Sequence, residues 1–418
     1  MENTKYISLS ANNIRQEILN LRQLTFEVTD SCNLKCKYCG YGEFYCSYDK
    51  RETRNLSFQR AKRLIDYIFS MWKEHGQDVY KHSITFSFYG GEPLLNVPLI
   101  RQIQDYVETN YAYCVDLNYS MTSNAMLLDR YMDFLVEKNF SLLISLDGDK
   151  EGQAYRVDHH GVNSFERVYA NVKLLQEKYP DYFKEKVHFN SVLHDRNSTD
   201  GLFHYMQDTF GKIPMISQLN TSGIREDKRE EFKSLFVSKD RNFYEAPDVP
   251  LLINEMFFDV PDTRALYTYL EQFSGNVYKS YTDLFVDQSK LPSFPTGTCV
   301  PFNRKMFLTV NGKILACERI DQKYALGYVT DEGVDLDFEK IAAFYNTFFD
   351  KIKKQCQGCY RKLYCPQCIF YIEDLEGEAL CDGFMKEDEF ERMVVAQKAY
   401  LRRNPHLYKR IMEELAIY

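Results

Sequence analysis

The chain alternates between two kinds of pattern. Short apolar runs rich in β-branched and aromatic residues occupy 24–29, 84–89, 117–122, 141–146 and 187–193. Amphipathic stretches with helical periodicity lie between them, at 57–73, 99–110, 127–138 and 165–178. Short β-rich runs of this length suit strands, and the segments between them suit helices. Ser57 and Ser164 precede two of these stretches as candidate N-caps. A further strand is expected at 213–219. The alternation predicts an α/β fold of right-handed βαβ units on a parallel sheet. About six units fall short of the eight of a closed barrel, so a partial (β/α)6 TIM-like barrel is expected.

Beyond residue 220 the pattern changes. The segment IREDKREEFKSLF opens a charged helical stretch, and 221–295 reads as a helical insertion or bridge. From 296 the elements shorten. A hairpin is expected over 305–317, turning at Asn311-Gly312. A helix follows near 337–351, then a cysteine-bearing loop, then a helical tail over 387–417. The expected organisation is an N-terminal extension (1–21), the barrel (22–220), the bridge (221–295), a cysteine-rich domain (296–385) and a C-terminal helix (386–418).

Composition narrows the chemistry. The formal charge is −8, which argues against a nucleic-acid partner held by bulk positive charge. No secretory signal is visible, and no apolar run is long enough to span a bilayer, so a cytoplasmic protein without a membrane partner is expected. The chain carries 12 cysteines. In a reducing compartment, closely spaced thiols bind metal or do redox chemistry more often than they form disulfides. The abundant Tyr and Phe read as core and groove lining.

The segment FEVTDSCNLKCKYCGYG sets Cys32, Cys36 and Cys39 directly after the first strand. Three thiolates on one loop can hold three corners of an iron–sulfur cube. A structural zinc site is the alternative, although zinc usually takes a fourth ligand. The loop resembles the signature of the radical S-adenosylmethionine superfamily, with Tyr38 as the aromatic before the last cysteine. The resemblance implies that the open iron binds S-adenosylmethionine, whose reductive cleavage yields a 5′-deoxyadenosyl radical. Gly90-Gly91-Glu92-Pro93 is similar to the family's motif for the methionine amino group. Asn124, in Thr-Ser-Asn-Ala, resembles an offset ribose or carboxylate contact. Ser145, in Ile-Ser-Leu-Asp-Gly, and Arg156 match two further positions that contact the cofactor. Singly, each of these residues also suits a turn, a cap or a core position. His159 and His160, beside Arg156, read as exposed loop residues.

Seven cysteines lie in the C-terminal third: Cys299, Cys317, Cys356, Cys359, Cys365, Cys368 and Cys381. Two Cys-x-x-Cys pairs would suit a zinc ribbon, but a ribbon leaves Cys299, Cys317 and Cys381 unexplained. The whole set resembles the SPASM domain, a small α+β domain that carries two auxiliary clusters. The family's interleaved ligation implies one complete cluster on Cys356, Cys359, Cys365 and Cys381. It implies a second on Cys299, Cys317 and Cys368 with one iron lacking a cysteine. Three [4Fe-4S] clusters in all are implied. Glu318 follows Cys317 where related sulfatase-maturating enzymes carry a candidate base. Cys46 and Cys114 are left as ordinary thiols.

The resemblance implies an enzyme that modifies a ribosomally made peptide, forming a thioether or other crosslink. An anaerobic sulfatase maturase forming formylglycine is the alternative, and a non-enzymatic zinc-binding scaffold is the alternative of another class. Sulfatase maturases usually carry an extra cysteine six residues after the first SPASM ligand, where Lys305 stands here. The implied partners are a precursor peptide, an external flavodoxin- or ferredoxin-type electron donor, and a separate leader-recognition protein. Without such a protein, the 221–290 segment would take that role.

Overall fold

A computed structural model describes residues 6–75, 82–273, 294–362 and 365–414. The chain forms two compact units that interleave along the sequence: residues 15–252 with 301–337, and residues 1–14 with 253–300 and 338–418.

The larger unit is built on one sheet. Its parallel strands are β1 (Gln23–Thr29), β2 (His82–Gly90), β3 (Val115–Ser123), β4 (Ser141–Ser145), β5 (Val187–Leu193) and β6 (Met215–Gln218), adjacent in that order. The helices in chain order are α1 (Ala11–Leu19) before β1, then α2 (Phe58–Glu74), α3 (Val97–Tyr111), α4 (Leu128–Glu137), α5 (Phe165–Lys178), α6 (Pro180–Lys186) and α7 (Thr199–Phe210). This is the partial barrel expected from the alternation, and the sheet ends at β6 rather than closing. Fully buried Phe26, Phe86, Phe88 and Phe189 on the strands and Phe140 just before β4 belong to the core, with Phe140 packed on Phe134 of α4 and Phe189 on Phe210 of α7.

The cap of α2 is as expected, with the Ser57 hydroxyl accepting from the Arg60 amide. Ser164 differs: it precedes α5, but its hydroxyl accepts from Gln153 and makes no cap bond. On the other side of β1 lies β7 (Met306–Leu308), also parallel to it. It continues antiparallel into β8 (Lys313–Leu315), β9 (Gly327–Val329) and β10 (Val334–Asp335). β7 and β8 are the expected hairpin, with Asn311-Gly312 in its turn. Buried Glu27 on β1 secures that turn, accepting from the Val310 amide and pairing with Arg51.

Past β6 come α8 (Arg229–Leu235), α9 (Lys239–Tyr244), α10 (Val249–Glu255) and α11 (Pro261–Phe273), a helical run as expected. The 274–293 part of the expected bridge lies outside the described residues. In the smaller unit, α12 (Phe338–Gly358) runs further than the sequence suggests and holds Cys356 in its last turn rather than on a loop. The expected tail helix is two helices, α13 (Glu387–Arg403) and α14 (His406–Glu414). Pro405 divides them, because it cannot donate to the helical ladder and disfavours helical geometry at Asn404. Among the described residues, no helix is long and apolar enough to cross a membrane.

Candidate functional site

In the larger unit, the loop after β1 carries Cys32, Cys36 and Cys39 at the C-terminal edge of the sheet, where open α/β sheets place their ligands. Its backbone is clamped by a neighbouring segment: Lys35 N–H donates to the Val157 carbonyl and Lys37 N–H to that of Tyr155 (2.7 and 3.0 Å). The Cys32 sulfur accepts from the Leu34 amide at 3.4 Å and from the Asn124 side chain at 3.7 Å. Burial pushes the Cys32 and Cys36 thiols up to about 12, so bare thiols here stay protonated until a metal displaces the proton. The three sulfurs lie within electrostatic reach of one another, and N–H groups already aim at one of them. Such a cradle fits an iron–sulfur group, which takes one thiolate per iron. Among the described residues, no three His, Cys, Asp or Glu side chains converge on a single-ion site.

Gly90 and Gly91 stand against this loop. A Cβ on Gly90 would meet the Thr29 carbonyl oxygen at 2.2 Å, and one on Gly91 that of Ser31 at 2.0 Å. These glycines therefore let two strand-end backbones touch. Glu92 follows, fully buried. Its carboxylate accepts from the Leu94 amide (3.1 Å), the Ser123 hydroxyl (2.7 Å) and the Asn124 amide (2.7 Å), tying the end of β2 to the end of β3. Burial nonetheless pushes it up to about 7. The Asn124 side chain spans from the Met126 amide, which it caps, to Asn33 and Cys32. Ser145 ends β4, half-buried, in register with Asn190.

Arg156 is buried, and its fork is engaged within the protein. Nε and Nη2 donate to the two oxygens of Asp147 at 2.8 and 3.0 Å. Asp147 also accepts from the Tyr38 hydroxyl and the Val192 amide. The sequence did not single it out, although it lies two residues after Ser145. Around this hub, His194 stacks on Tyr38 at 5.6 Å and Tyr155 meets both rings edge-on. Arg156 lies within electrostatic reach of Cys36 and Cys39. His159 reaches the Cys32 carbonyl at 2.8 Å. Its sequence position beside Arg156 was the available signal.

Glu318 and Cys317 follow β8 in the same unit. Burial pushes the Glu318 carboxyl up, but the Lys305 ammonium at 3.0 Å, a backbone hydrogen bond and Arg319 together hold it below the usual range. Tyr48 and Tyr89 lie within electrostatic reach of both Cys39 and Glu318. Tyr41 packs edge-on to Tyr48 at 4.6 Å.

In the smaller unit, Cys356, Cys359, Cys365 and Cys381 line one cavity with Tyr6, Thr296, Gln355 and Lys362. Cys368 does not line it and lies instead within electrostatic reach of Cys299. Segment 297–299 runs beside 367–369, with Gly297 N–H donating to the Gln367 carbonyl and Ile369 N–H to the Thr298 hydroxyl. Cys46 and Cys114 are exposed and join neither set.

Residues 26–200 match the family profile of the Radical SAM superfamily. The chain is 29% identical over 166 residues to a cysteine-type anaerobic sulfatase-maturating enzyme of Clostridium novyi, covering 39% of this chain and 42% of that protein. It is 25% identical to the radical SAM cyclopropyl synthase TigE of Paramaledivibacter caminithermalis, over 41% of this chain and 35% of that protein. A 32% match to an uncharacterized protein of Methanocaldococcus jannaschii covers 31% and 39%. The chain thus spans about two-fifths of the length of the curated relatives it matches first, 39% and 42%. Native anSMEcpe with bound AdoMet shares the fold, with a TM-score of 0.59 over 93% of this chain and 98% of that one at 18% identity.

Proposed function

We propose that this protein is a radical S-adenosylmethionine enzyme that modifies a ribosomally made peptide. The observation that carries the reading is the Cys32–Cys36–Cys39 loop, gathered with Glu92, Asn124 and the Arg156–Asp147 pair at one edge of a radical SAM domain. When bound, a four-iron cluster and S-adenosylmethionine supply a 5′-deoxyadenosyl radical that takes hydrogen from the substrate.

The chain's own residues do the positioning. Cys32, Cys36 and Cys39 hold the cluster. Glu92 accepts the methionine ammonium on the acceptor site its three hydrogen bonds leave open. Ser145 and Asn124 contact the rest of the cofactor. Arg156 orients the loop through Asp147 and Tyr38, and offers its remaining donors to the cofactor carboxylate. Glu318, held by Lys305, takes the proton the substrate releases. Cys356, Cys359, Cys365 and Cys381 hold one auxiliary cluster, and Cys299 and Cys368 contribute to the other. The 22–220 barrel, the 221–295 bridge and a 296–385 SPASM domain remain the proposed division of labour. A flavodoxin- or ferredoxin-type donor supplies electrons, and the 221–290 segment or a separate protein recognises the leader.

Formylglycine formation is the second reading, supported by relatives named as sulfatase-maturating enzymes. Against it, Lys305 stands where those enzymes usually carry a cysteine, and it is engaged with Glu318. The test is anaerobic incubation with two kinds of peptide, followed by mass spectrometry. A peptide encoded beside this gene should lose two hydrogens for each bond formed. Conversion of a cysteine or serine in a sulfatase-type peptide to an aldehyde would favour the second reading. Turnover of neither, in protein that makes 5′-deoxyadenosine, would reject both substrates.

A further inference from the structure

The four-cysteine cavity includes a residue that the family signature does not explain. Tyr6 is 9% exposed, and its hydroxyl is buried without a hydrogen-bond partner. An unpaired buried hydroxyl is costly, so it calls for an acceptor. The ring lines the cavity and lies within electrostatic reach of Cys356, Cys359 and Cys365.

The segment that brings it there is anchored. The Leu9 amide donates to the Asn346 side chain at 2.8 Å, and the same side chain donates back to the Leu9 carbonyl at 2.9 Å. Asn346 lies on α12, the helix whose last turn carries Cys356. Other polar groups around the cavity are already engaged. Gln355 accepts from the Cys381 amide and donates to the Ala379 carbonyl. Lys362 donates to the Gln357 carbonyl, and Thr296 shares a hydrogen bond with Thr298. Among the described lining residues, Tyr6 alone has a side-chain N or O atom that is buried and unpartnered.

We propose that the Tyr6 hydroxyl donates a hydrogen bond to a sulfur of the cluster held by Cys356, Cys359, Cys365 and Cys381, and so raises that cluster's reduction potential. The proposal rests on the reading that these four cysteines hold a cluster. A donor at sulfur withdraws charge and favours the reduced state, one of the means by which proteins tune such potentials. Tyr6 is thus a positioning residue for an auxiliary centre, supplied from far upstream in the sequence.

The experiment is a redox titration of the reconstituted full-length protein, followed by electron paramagnetic resonance, for wild type and Tyr6→Phe. The relevant signal is the one lost in a Cys356→Ala/Cys359→Ala variant. Tyr6→Phe should keep its iron and sulfide. Its signal should titrate at a lower potential, with the reduced-to-oxidised ratio at fixed poise falling about tenfold, ~59 mV for a one-electron couple. In the wild type, electron–nuclear double resonance should show a proton coupled to this cluster that deuterium exchange removes and that Tyr6→Phe lacks. An unchanged potential, loss of the cluster in Tyr6→Phe, or absence of that proton would each overturn the proposal. If the cysteine variant loses no iron and no signal, the underlying cluster assignment fails instead.

Discussion

At the residue scale, the least legible part of the site is Asp147. The donors Tyr38 and Val192 to its carboxylate are 109 and 45 positions away, and among the three only Arg156 is close in sequence. The Ser145 and Arg156 motifs bracketed the hub without revealing it. Asp147→Ala would leave Arg156 buried without its counter-charge, at a cost of about 3–5 kcal/mol. Urea denaturation of the metal-free protein should show a loss of that size, whereas Tyr38→Phe should cost far less. Glu92 makes a pH prediction. Its folded value, about 7, lies above the ordinary 4.5, so the folded state keeps a proton that the unfolded chain has released. Its contribution to stability is therefore full below the ordinary value and falls as pH rises towards the folded one. Wild-type stability should decline between about pH 5 and about pH 7 more steeply than that of Glu92→Gln. Parallel curves would show that Glu92 does not titrate in that window.

At the element scale, the strands were legible as short runs rich in β-branched and aromatic residues between helical stretches, and in β3 and β5 buried positions alternate with more exposed ones. The hairpin was legible through its Asn-Gly turn. Helix α7 was not anticipated, although its ends are marked. The Ser198 hydroxyl caps the Gly201 amide, and Gly211 closes the helix at φ 65°. Its apolar residues Leu202, Phe203, Met206 and Phe210 make too thin a stripe to stand out without those caps. The reach of α12 to Cys356 was hidden because the run KIKKQCQG looks solvated. The glycine pair at the end of β2 makes its close contact with the backbone at residues 29–31, where the cysteine loop begins. Gly91→Ala would force a Cβ to within 2.0 Å of the Ser31 carbonyl oxygen. The change should destabilise the metal-free protein by more than about 1 kcal/mol, measured by denaturation. An undisturbed midpoint would mean that the loop yields easily.

At the scale of the whole molecule, the consecutive domain boundaries expected from the sequence contrast with two interleaved units. Helical runs and cysteine spacing are read along the chain, whereas compactness joins residues 1–14 with 338–418 and residues 301–337 with the sheet. In the smaller unit, Cys356, Cys359, Cys365 and Cys381 line one cavity while Cys368 lies near Cys299, a grouping that spacing alone could not distinguish from a zinc ribbon. Full reconstitution should yield about twelve irons per chain, from three four-iron groups. Cys356→Ala/Cys359→Ala should remove about four of them. The most direct test of the central claim is 5′-deoxyadenosine formation from S-adenosylmethionine under anaerobic reducing conditions. The reconstituted wild type should form it, and the Cys32→Ala/Cys36→Ala/Cys39→Ala variant should form none while keeping its auxiliary iron. Formation that persists in that variant would contradict the account.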